Sequence, residues 1–153
     1  MPLNEAELIE KEIVFRNMRI TEEVFETKRA MSRWLALTLG VINPGESRQS
    51  AVAVLDALLY FHFIKNSEPS VDDLSDYISK NWEAINEKTL RYHLLRMKKI
   101  GIIENSRGRF YLKSPSEGDK FNPYSWAVSI FDSDYRQVVD KIGKVLSELK
   151  NKA

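Results

Sequence analysis

Residues 86–112, NEKTLRYHLLRMKKIGIIENSRGRFYL, decide the fold of this chain. Asn86 is suited to begin a helix, because its side chain can accept a hydrogen bond from a free backbone N–H of the first turn. Apolar side chains then recur at positions 90, 94 and 97, which is the spacing of one helix face. Gly101 ends the pattern, since glycine enters the left-handed conformation without a side-chain clash. The stretch therefore predicts a helix over residues 87–99.

A hairpin is predicted directly after this helix. Ile102 and Ile103 begin one strand, residues 105–108 (Asn-Ser-Arg-Gly) are typical of a turn, and residues 109–112 form the returning strand. A capped helix followed at once by a basic hairpin is typical of an element that reads nucleic acid.

Positive charge is concentrated in the same stretch. Residues 86–113 hold eight cations and two acids, or about +6, whereas the whole chain holds 23 cations and 22 acids, or +1. Concentrated cations beside a groove-sized helix supply the phosphate attraction on which nucleic-acid affinity depends. A solvated helix end that favours the helix dipole would explain Lys98 and Lys99. It would leave four arginines unexplained: Arg91, Arg96, Arg107 and Arg109.

Composition excludes several classes of function. The chain has 153 residues, 43% hydrophobic and 29% charged, which is typical of a folded globular protein with one core. It has no cysteine, so disulfides, zinc–thiolate sites and cysteine nucleophiles are excluded. With two histidines, no glycine-rich phosphate loop and no paired-carboxylate pattern, we expect neither an enzyme nor a metal or cofactor site.

The chain is expected to be cytoplasmic. Residues 1–12 are acidic and lack a basic region followed by an apolar run, so no secretion signal is predicted. The most apolar window, residues 51–64, contains Asp56 and His62 and is too short to span a bilayer. It predicts a central core helix, in which His62 is packed and hydrogen-bonded and does not bind a metal.

Helices are also predicted on both sides of that window. Two lie ahead of it, over residues 4–19 and from Thr21 to about residue 39, and their apolar faces would suit a second copy of the chain. The core helix itself is predicted over 48–65 with Ser47 as its cap. Ser70 opens a capping box for a short helix over 71–80.

The C-terminal region begins with a predicted loop over 114–120. Asn122 and Pro123 suit a helix start, although residues 124–131 fit a helix or a strand equally well. A final helix begins at Asp132 or Ser133 and ends near residue 150. Its apolar positions recur by threes and fours, and this stripe suits core packing and dimer packing equally.

The order of helices 48–65, 71–80 and 87–99 and hairpin 102–112 resembles the winged helix-turn-helix domain. Residues 89–103, TLRYHLLRMKKIGII, resemble the T-[VL]-x-x-H-L-x-x-L-x-x-x-G-[LI]-[IV] run of bacterial and archaeal transcription regulators of the ArsR and MarR kinds. The resemblance implies a mostly α fold with a small β-hairpin wing. It divides the chain into a winged helix domain (47–113) and N- and C-terminal helical extensions (1–46 and 114–153) available for dimerisation.

The resemblance also implies a function and a set of DNA-binding residues. The expected function is that of a transcription regulator that binds double-stranded DNA as a homodimer, with helix 87–99 in the major groove and wing 104–109 on the minor groove or backbone. Base edges would be read from the first half of the helix, a phosphate would be bound by a threonine, and the wing would contribute arginines. The implied residues are Lys88, Thr89, Arg91, Tyr92, Arg96, Arg107 and Arg109.

Two departures from the family pattern stand within the helix. Leu95 is apolar at a position that is usually polar, and Glu87 would repel phosphate although it favours the helix dipole. Because the chain has no cysteine, arsenic-type metal sensing is excluded. His93 matches a position that is often packed against the core, with a phosphate contact as the alternative.

Two further hypotheses remain open. The near-neutral total charge and the aromatic residues outside the wing suit a winged-helix adaptor that binds proteins without sequence-specific DNA binding. These aromatic residues are Trp34, Trp82, Phe121, Tyr124 and Trp126. A small-molecule effector would fit between the N-terminal helices and the segment around Trp126, although such aromatic clusters are more often plain core.

Overall fold

The computed structural model describes residues 4–115 and 118–152. Over these ranges the protein is mostly helical, with one two-stranded antiparallel hairpin, as the sequence predicts. The α-helices are α1 (Lys28–Thr38), α2 (Ser50–Leu59), α3 (Val71–Asn81), α4 (Glu87–Ile100), α5 (Pro123–Ser129) and α6 (Asp132–Lys152), and the strands are β1 (Ile103–Ser106) and β2 (Arg109–Leu112). Short 3-10 turns occupy Glu5–Leu8 and Glu22–Phe25, and a π-helical turn, Tyr60–Ile64, extends α2.

Helix α2 is the centre of the fold, which confirms the prediction of a central helix. Eight of its ten residues are buried, because alanine, valine and leucine occupy every side of it. It contacts α1, α3, α4 and β2. Its predicted start was wrong: the helix begins at Ser50, Gln49 occupies the cap position without a side-chain hydrogen bond, and Ser47 lies outside.

One buried carboxylate joins three parts of this core. Asp56 on α2 accepts hydrogen bonds from the Ser32 hydroxyl (3.0 Å), the Tyr77 hydroxyl (2.8 Å) and the Trp82 indole N–H (2.9 Å). Burial raises the pKa of Tyr77, and the bond to Asp56 raises it further, so the phenol remains a donor at neutral pH. The network fixes α1 and the end of α3 against α2 without any buried cation.

The N-terminal region differs most from expectation. The predicted helix over 4–19 is wrong, since the only regular structure there is the single turn Glu5–Leu8. Arg16 instead binds the end of α1. Its guanidinium donates hydrogen bonds to the carbonyls of Leu37 (2.7 Å) and Ile42 (2.9 Å). The backbone N–H of Arg16 donates to the carbonyl of Thr38 (3.0 Å). These long-range bonds replace the local helical ones.

The second predicted helix is shorter than expected. It begins at Lys28 and not at Thr21, because the Thr27 side chain accepts from the Ala30 N–H, whereas Thr21 makes no side-chain cap. Gly40, just after α1, has a positive φ, and a Cβ there would lie 2.5 Å from that of Val14. Only glycine therefore allows the N-terminal segment to cross the end of α1 at this distance.

The elements in and around residues 86–112 agree closely with the predictions made from the sequence. Ser70 and Asp73 form both bonds of the capping box of α3, and Asn86 accepts from the Thr89 N–H at the start of α4. Gly101 ends α4 with φ 97°. Strands β1 and β2 pair from Ile103 opposite Leu112 to Ser106 opposite Arg109, so the turn is two residues and shorter than the predicted 105–108.

The C-terminal part is helical throughout most of its length. Asn122 caps α5 with its side chain, as predicted, and residues 124–129 are helix and not strand. Part of the predicted loop, residues 116 and 117, lies outside the described residues. The final helix, α6, begins at Asp132 and has no buried residue. Among the described residues, no helix combines the length and the apolar character that crossing a membrane requires.

Candidate nucleic-acid interface

The outer face of α4 is open to solvent. At 100° per residue, positions 88, 91, 92, 95 and 99 share this face, and all five side chains are exposed. The inner face carries Leu90, Leu94 and Met97, which are almost completely buried. The hydrophobic side thus fixes the helix on the core, and the cationic side is presented as one surface.

The positive charge of this surface is little neutralised. Arg91 lies 3.6 Å from the carboxylate of Glu87, one turn earlier, but both side chains are more than half exposed, and such pairs contribute little. Within residues 4–115 and 118–152, six other cations of the stretch form no salt bridge: Lys88, Arg96, Lys98, Lys99, Arg107 and Lys113. The surface therefore keeps a net positive charge.

Two of the predicted binding residues lie at the edge of the outer face. Thr89 is half-buried, and its backbone N–H is bound by the Asn86 cap. Arg96 is also half-buried, with its guanidinium 5.8 Å from the centre of the Tyr92 ring. This contact holds the aromatic ring and the cation together beside the exposed face.

The tip of the hairpin places Arg107 in an unusual backbone conformation. Arg107 (φ 53°) and Gly108 (φ 74°) both have positive φ, which is the pattern of a tight two-residue hairpin turn. Asparagine, aspartate and glycine favour this conformation, whereas arginine adopts it at a cost of about 1 kcal/mol. Arginine is therefore not the residue that this turn alone would favour, and the hairpin carries an exposed cation at its tip.

Arg109 is engaged with the protein itself. Its guanidinium donates to the Asp73 carboxylate and to the Glu68 carbonyl, both at 3.2 Å. Hydrogen bonds from Ser70 hold the pKa of the Asp73 carboxyl below its usual value, and Arg109 adds to this effect. In the next position, the Phe110 N–H donates to the Pro69 carbonyl (2.9 Å). Arg109 thus helps to fix the hairpin against the start of α3.

His93 belongs to the core side of α4. Its Nε2 lies 2.9 Å from the hydroxyl of Ser50, so the histidine ties the middle of α4 to the start of α2. Burial lowers the pKa of His93, and the charge of Arg96 lowers it further. The imidazole is therefore neutral at pH 7. His62 is likewise buried and hydrogen-bonded, with Nε2 2.7 Å from the Lys120 carbonyl.

The structure adds one cation that the sequence did not nominate. The bond between His93 and Ser50 brings the start of α2 beside α4, and the exposed Arg48 precedes that start by two residues. Because α2 lacks a side-chain cap, its first N–H groups suit an anion. The sequence does show an arginine just before an apolar helix. It was not predicted to bind an anion, because Ser47 was expected to cap that helix.

A cavity of about 510 Å³ lies between α1, the π-helical turn and α5. Its walls are largely apolar and include Met31, Leu35, Phe63 and Trp126. It occupies the region in which a small-molecule effector would fit, and its volume is within the range of ligand pockets.

Elsewhere in the described ranges, no group of three or more histidine, aspartate or glutamate side chains is arranged to bind a metal ion.

Comparison with known proteins adds no family assignment. Protein-family models, curated proteins and solved structures were each searched, and none matches this chain.

Proposed function

We propose that this protein is a winged helix-turn-helix transcription regulator that binds double-stranded DNA as a homodimer. The observation that carries the proposal is the exposed cationic face of α4, opposite its buried leucines and directly before a hairpin. Helices α2, α3 and α4 followed by β1 and β2 have the order of a winged helix domain.

In this proposal α4 lies in the major groove. Its 14 residues extend for about 21 Å, and a protruding helix of this size fits a groove about 12 Å wide. Lys88, Arg91 and Tyr92 would reach base edges from its first half, and Thr89 and Arg96 at its edge would contact the backbone.

The hairpin would contact the adjacent minor groove or phosphates through Arg107. Arg109 would act mainly by holding the hairpin in place, because its guanidinium already binds Asp73 and Glu68. Arg48 at the start of α2 would add a phosphate contact. Since one such module contacts few bases, useful specificity requires two copies on half-sites about 34 Å apart.

The experiment that tests this proposal is DNA binding as a function of salt. Genomic DNA fragments are titrated with the protein and with two variants, Arg91→Ala and Arg107→Asn, while fluorescence anisotropy is recorded at several salt concentrations. Asparagine tolerates positive φ, so Arg107→Asn removes the cation and keeps the turn. We expect Arg107→Asn to reduce the slope of log K against log salt by about 1 per protomer.

Arg91→Ala should weaken binding to the preferred sequence by about 1–3 kcal/mol and relax its specificity. Lys65→Ala is the matched control, because it also removes one exposed cation but belongs to neither α4 nor the hairpin. The proposal fails if binding persists unchanged when both arginines are replaced, or if Lys65→Ala has the same effect as Arg107→Asn.

A protein-binding adaptor is the second candidate, and one observation favours it. Leu95 is 52% exposed in the middle of the outer face of α4, beside the exposed ring of Tyr92. An apolar side chain at the centre of a contact surface suits a protein partner better than a phosphate. An adaptor would show little salt-dependent retention on heparin, whereas the DNA-binding regulator would show a steep dependence.

A further inference from the structure

Helix α6 carries a large apolar surface that the described chain does not cover. Seven of its side chains are between 47% and 68% exposed: Tyr135, Val138, Val139, Ile142, Val145, Leu146 and Leu149. At 100° per residue they fall within an arc of about 120°, and Ile142 lies at the middle of this arc. A continuous apolar stripe of this kind marks an interaction surface.

Among the described residues, the ion pairs that join the N-terminal segment to α6 lie at one flank of this stripe. Lys11 binds Asp134 at 2.9 Å, and Glu10 binds Lys141 at 3.1 Å, so the N-terminal segment is held at the side of α6. The apolar residues remain open despite these contacts. They are therefore open to a partner from outside the described residues.

The charges of α6 are arranged by position along the helix. Its first turn is acidic, with Asp132 and Asp134, and its last turn is basic, with Lys150 and Lys152. A parallel pair of α6 helices would place like charges side by side at both ends. An antiparallel pair would place each acidic end beside a basic end, and it would also oppose the two helix dipoles.

The central position of Ile142 gives this arrangement a defined register. Ile142 is the middle residue of α6, with ten residues on either side. In an antiparallel pair that crosses there, position 135 lies opposite position 149 of the second copy. The acidic first turn of one copy then lies beside the basic last turn of the other, with no shift of one helix along its partner. The whole apolar stripe is covered.

We propose that a second copy of this chain covers the stripe, with the two α6 helices antiparallel and crossing near Ile142. This inference rests on the homodimer of the proposed function and assigns its interface.

Disulfide cross-linking tests the orientation cleanly, because the protein has no cysteine of its own. Tyr135→Cys and Leu149→Cys are prepared separately, mixed in the reduced state and then oxidised at low concentration. We expect the mixture to give the mixed disulfide, and Leu149→Cys by itself to give little product. In the antiparallel pair, two copies of position 149 lie 14 residues apart along the axis, or about 21 Å, which is beyond disulfide reach.

Ser147→Cys is the matched control, since residue 147 is exposed on a different side of α6 from the stripe and should not cross-link. Efficient cross-linking of Leu149→Cys to itself, without the mixed product, would show a parallel pair and overturn the inference. Absence of every cross-linked product would also overturn it.

Sedimentation without DNA tests the interface independently of DNA binding. The unmodified protein should sediment as a dimer, and Ile142→Asp should raise the dimer dissociation constant by about 100-fold or more, because a carboxylate would be buried without a partner. Gln137→Asp, which adds the same charge away from the stripe, should remain dimeric. Circular dichroism checks that both variants keep their helices.

These outcomes separate the two proposals. A protein that is monomeric at every concentration but binds DNA with a steep salt dependence refutes the α6 interface and leaves the DNA-binding proposal standing. A protein that dimerises through α6 but shows no salt-dependent DNA binding refutes the regulator and not the interface.

Discussion

Helices α4 and α6 have similar sequence patterns and opposite environments. Both place apolar residues at intervals of three and four, and both have an acidic first turn and a basic last turn. Leu90 on α4 is completely buried, whereas Ile142 on α6 is 53% exposed. The pattern thus specifies a helix with one apolar face, but it does not specify whether that face meets the same chain or another one.

The largest difference in stability between the two helices should appear when one apolar side chain on each of them is shortened. We expect Leu90→Ala to lower the free energy of unfolding by about 2–5 kcal/mol, because it opens a cavity in a packed core. Val145→Ala, on the 68%-exposed part of α6, should change it by less than about 0.5 kcal/mol when the protein is monomeric. Urea unfolding at low protein concentration measures both values. Equal losses would contradict the contrast between the two helices.

A smaller effect on stability should follow from neutralising a carboxylate. The buried Asp56 of α2 is compared with the exposed Asp140 of α6. Asp56→Asn keeps an acceptor for Tyr77 and Trp82, and its new NH₂ group can donate to the Ser32 hydroxyl. We expect a loss of about 1 kcal/mol, as charged hydrogen bonds become neutral ones.

Asp140→Asn, on α6, is the matched control. Among the described residues Asp140 forms one exposed ion pair, with Lys144, so the loss should be close to zero. The same urea unfolding experiment measures both variants. If Asp56→Asn were as harmless as Asp140→Asn, the buried network would contribute nothing to stability.

The smallest effect should be a dependence of stability on pH. Burial lowers the folded-state pKa of His93, on the inner face of α4, and of His62, whereas the usual value is 6.5. At pH values below 6.5 the histidines of the unfolded chain therefore bind more protons than those of the folded protein. The free energy of unfolding should therefore be constant above about pH 7 and decrease as the pH falls below 6.5.

Urea midpoints between pH 8 and pH 5 measure this dependence. Replacing both histidines by glutamine should make it shallower over the same range, because the titrating groups are gone. A rise in stability on acidification, or an unchanged slope in the double variant, would show that the two buried imidazoles are not its source.

Much of the structure of residues 70–112 was predictable because its signals are local. The capping residues Ser70 and Asn86 and the terminating Gly101 act within one helical turn, and the structure has each in the predicted role. The same holds for the cap of α5 by Asn122. The exposed positions of Lys88, Arg91 and Tyr92 followed from helical periodicity alone.

Several of the failures involve long-range contacts. The N-terminal residues have a helix-like distribution of apolar side chains, but Arg16 binds carbonyls more than 20 residues away, and these bonds outweigh local propensity. Arg109 is bound to Asp73 of α3, 36 residues earlier in the chain. The place of Arg48 near residues 83–85, which lead into α4, likewise depends on the contact of α2 with His93.

The sequence by itself determined where α3 and α4 begin and end, where α5 and α6 begin, and which side of α4 carries its cations. Caps, turns and side-chain periodicity act between neighbours in the chain, so these features are written locally. Only the tertiary structure decided that α1 is fixed to α2 through Asp56, that Arg109 binds α3, and that the apolar face of α6 stays uncovered. Burial and pairing are set by residues that meet only after the chain has folded, and no local pattern records which of them will meet.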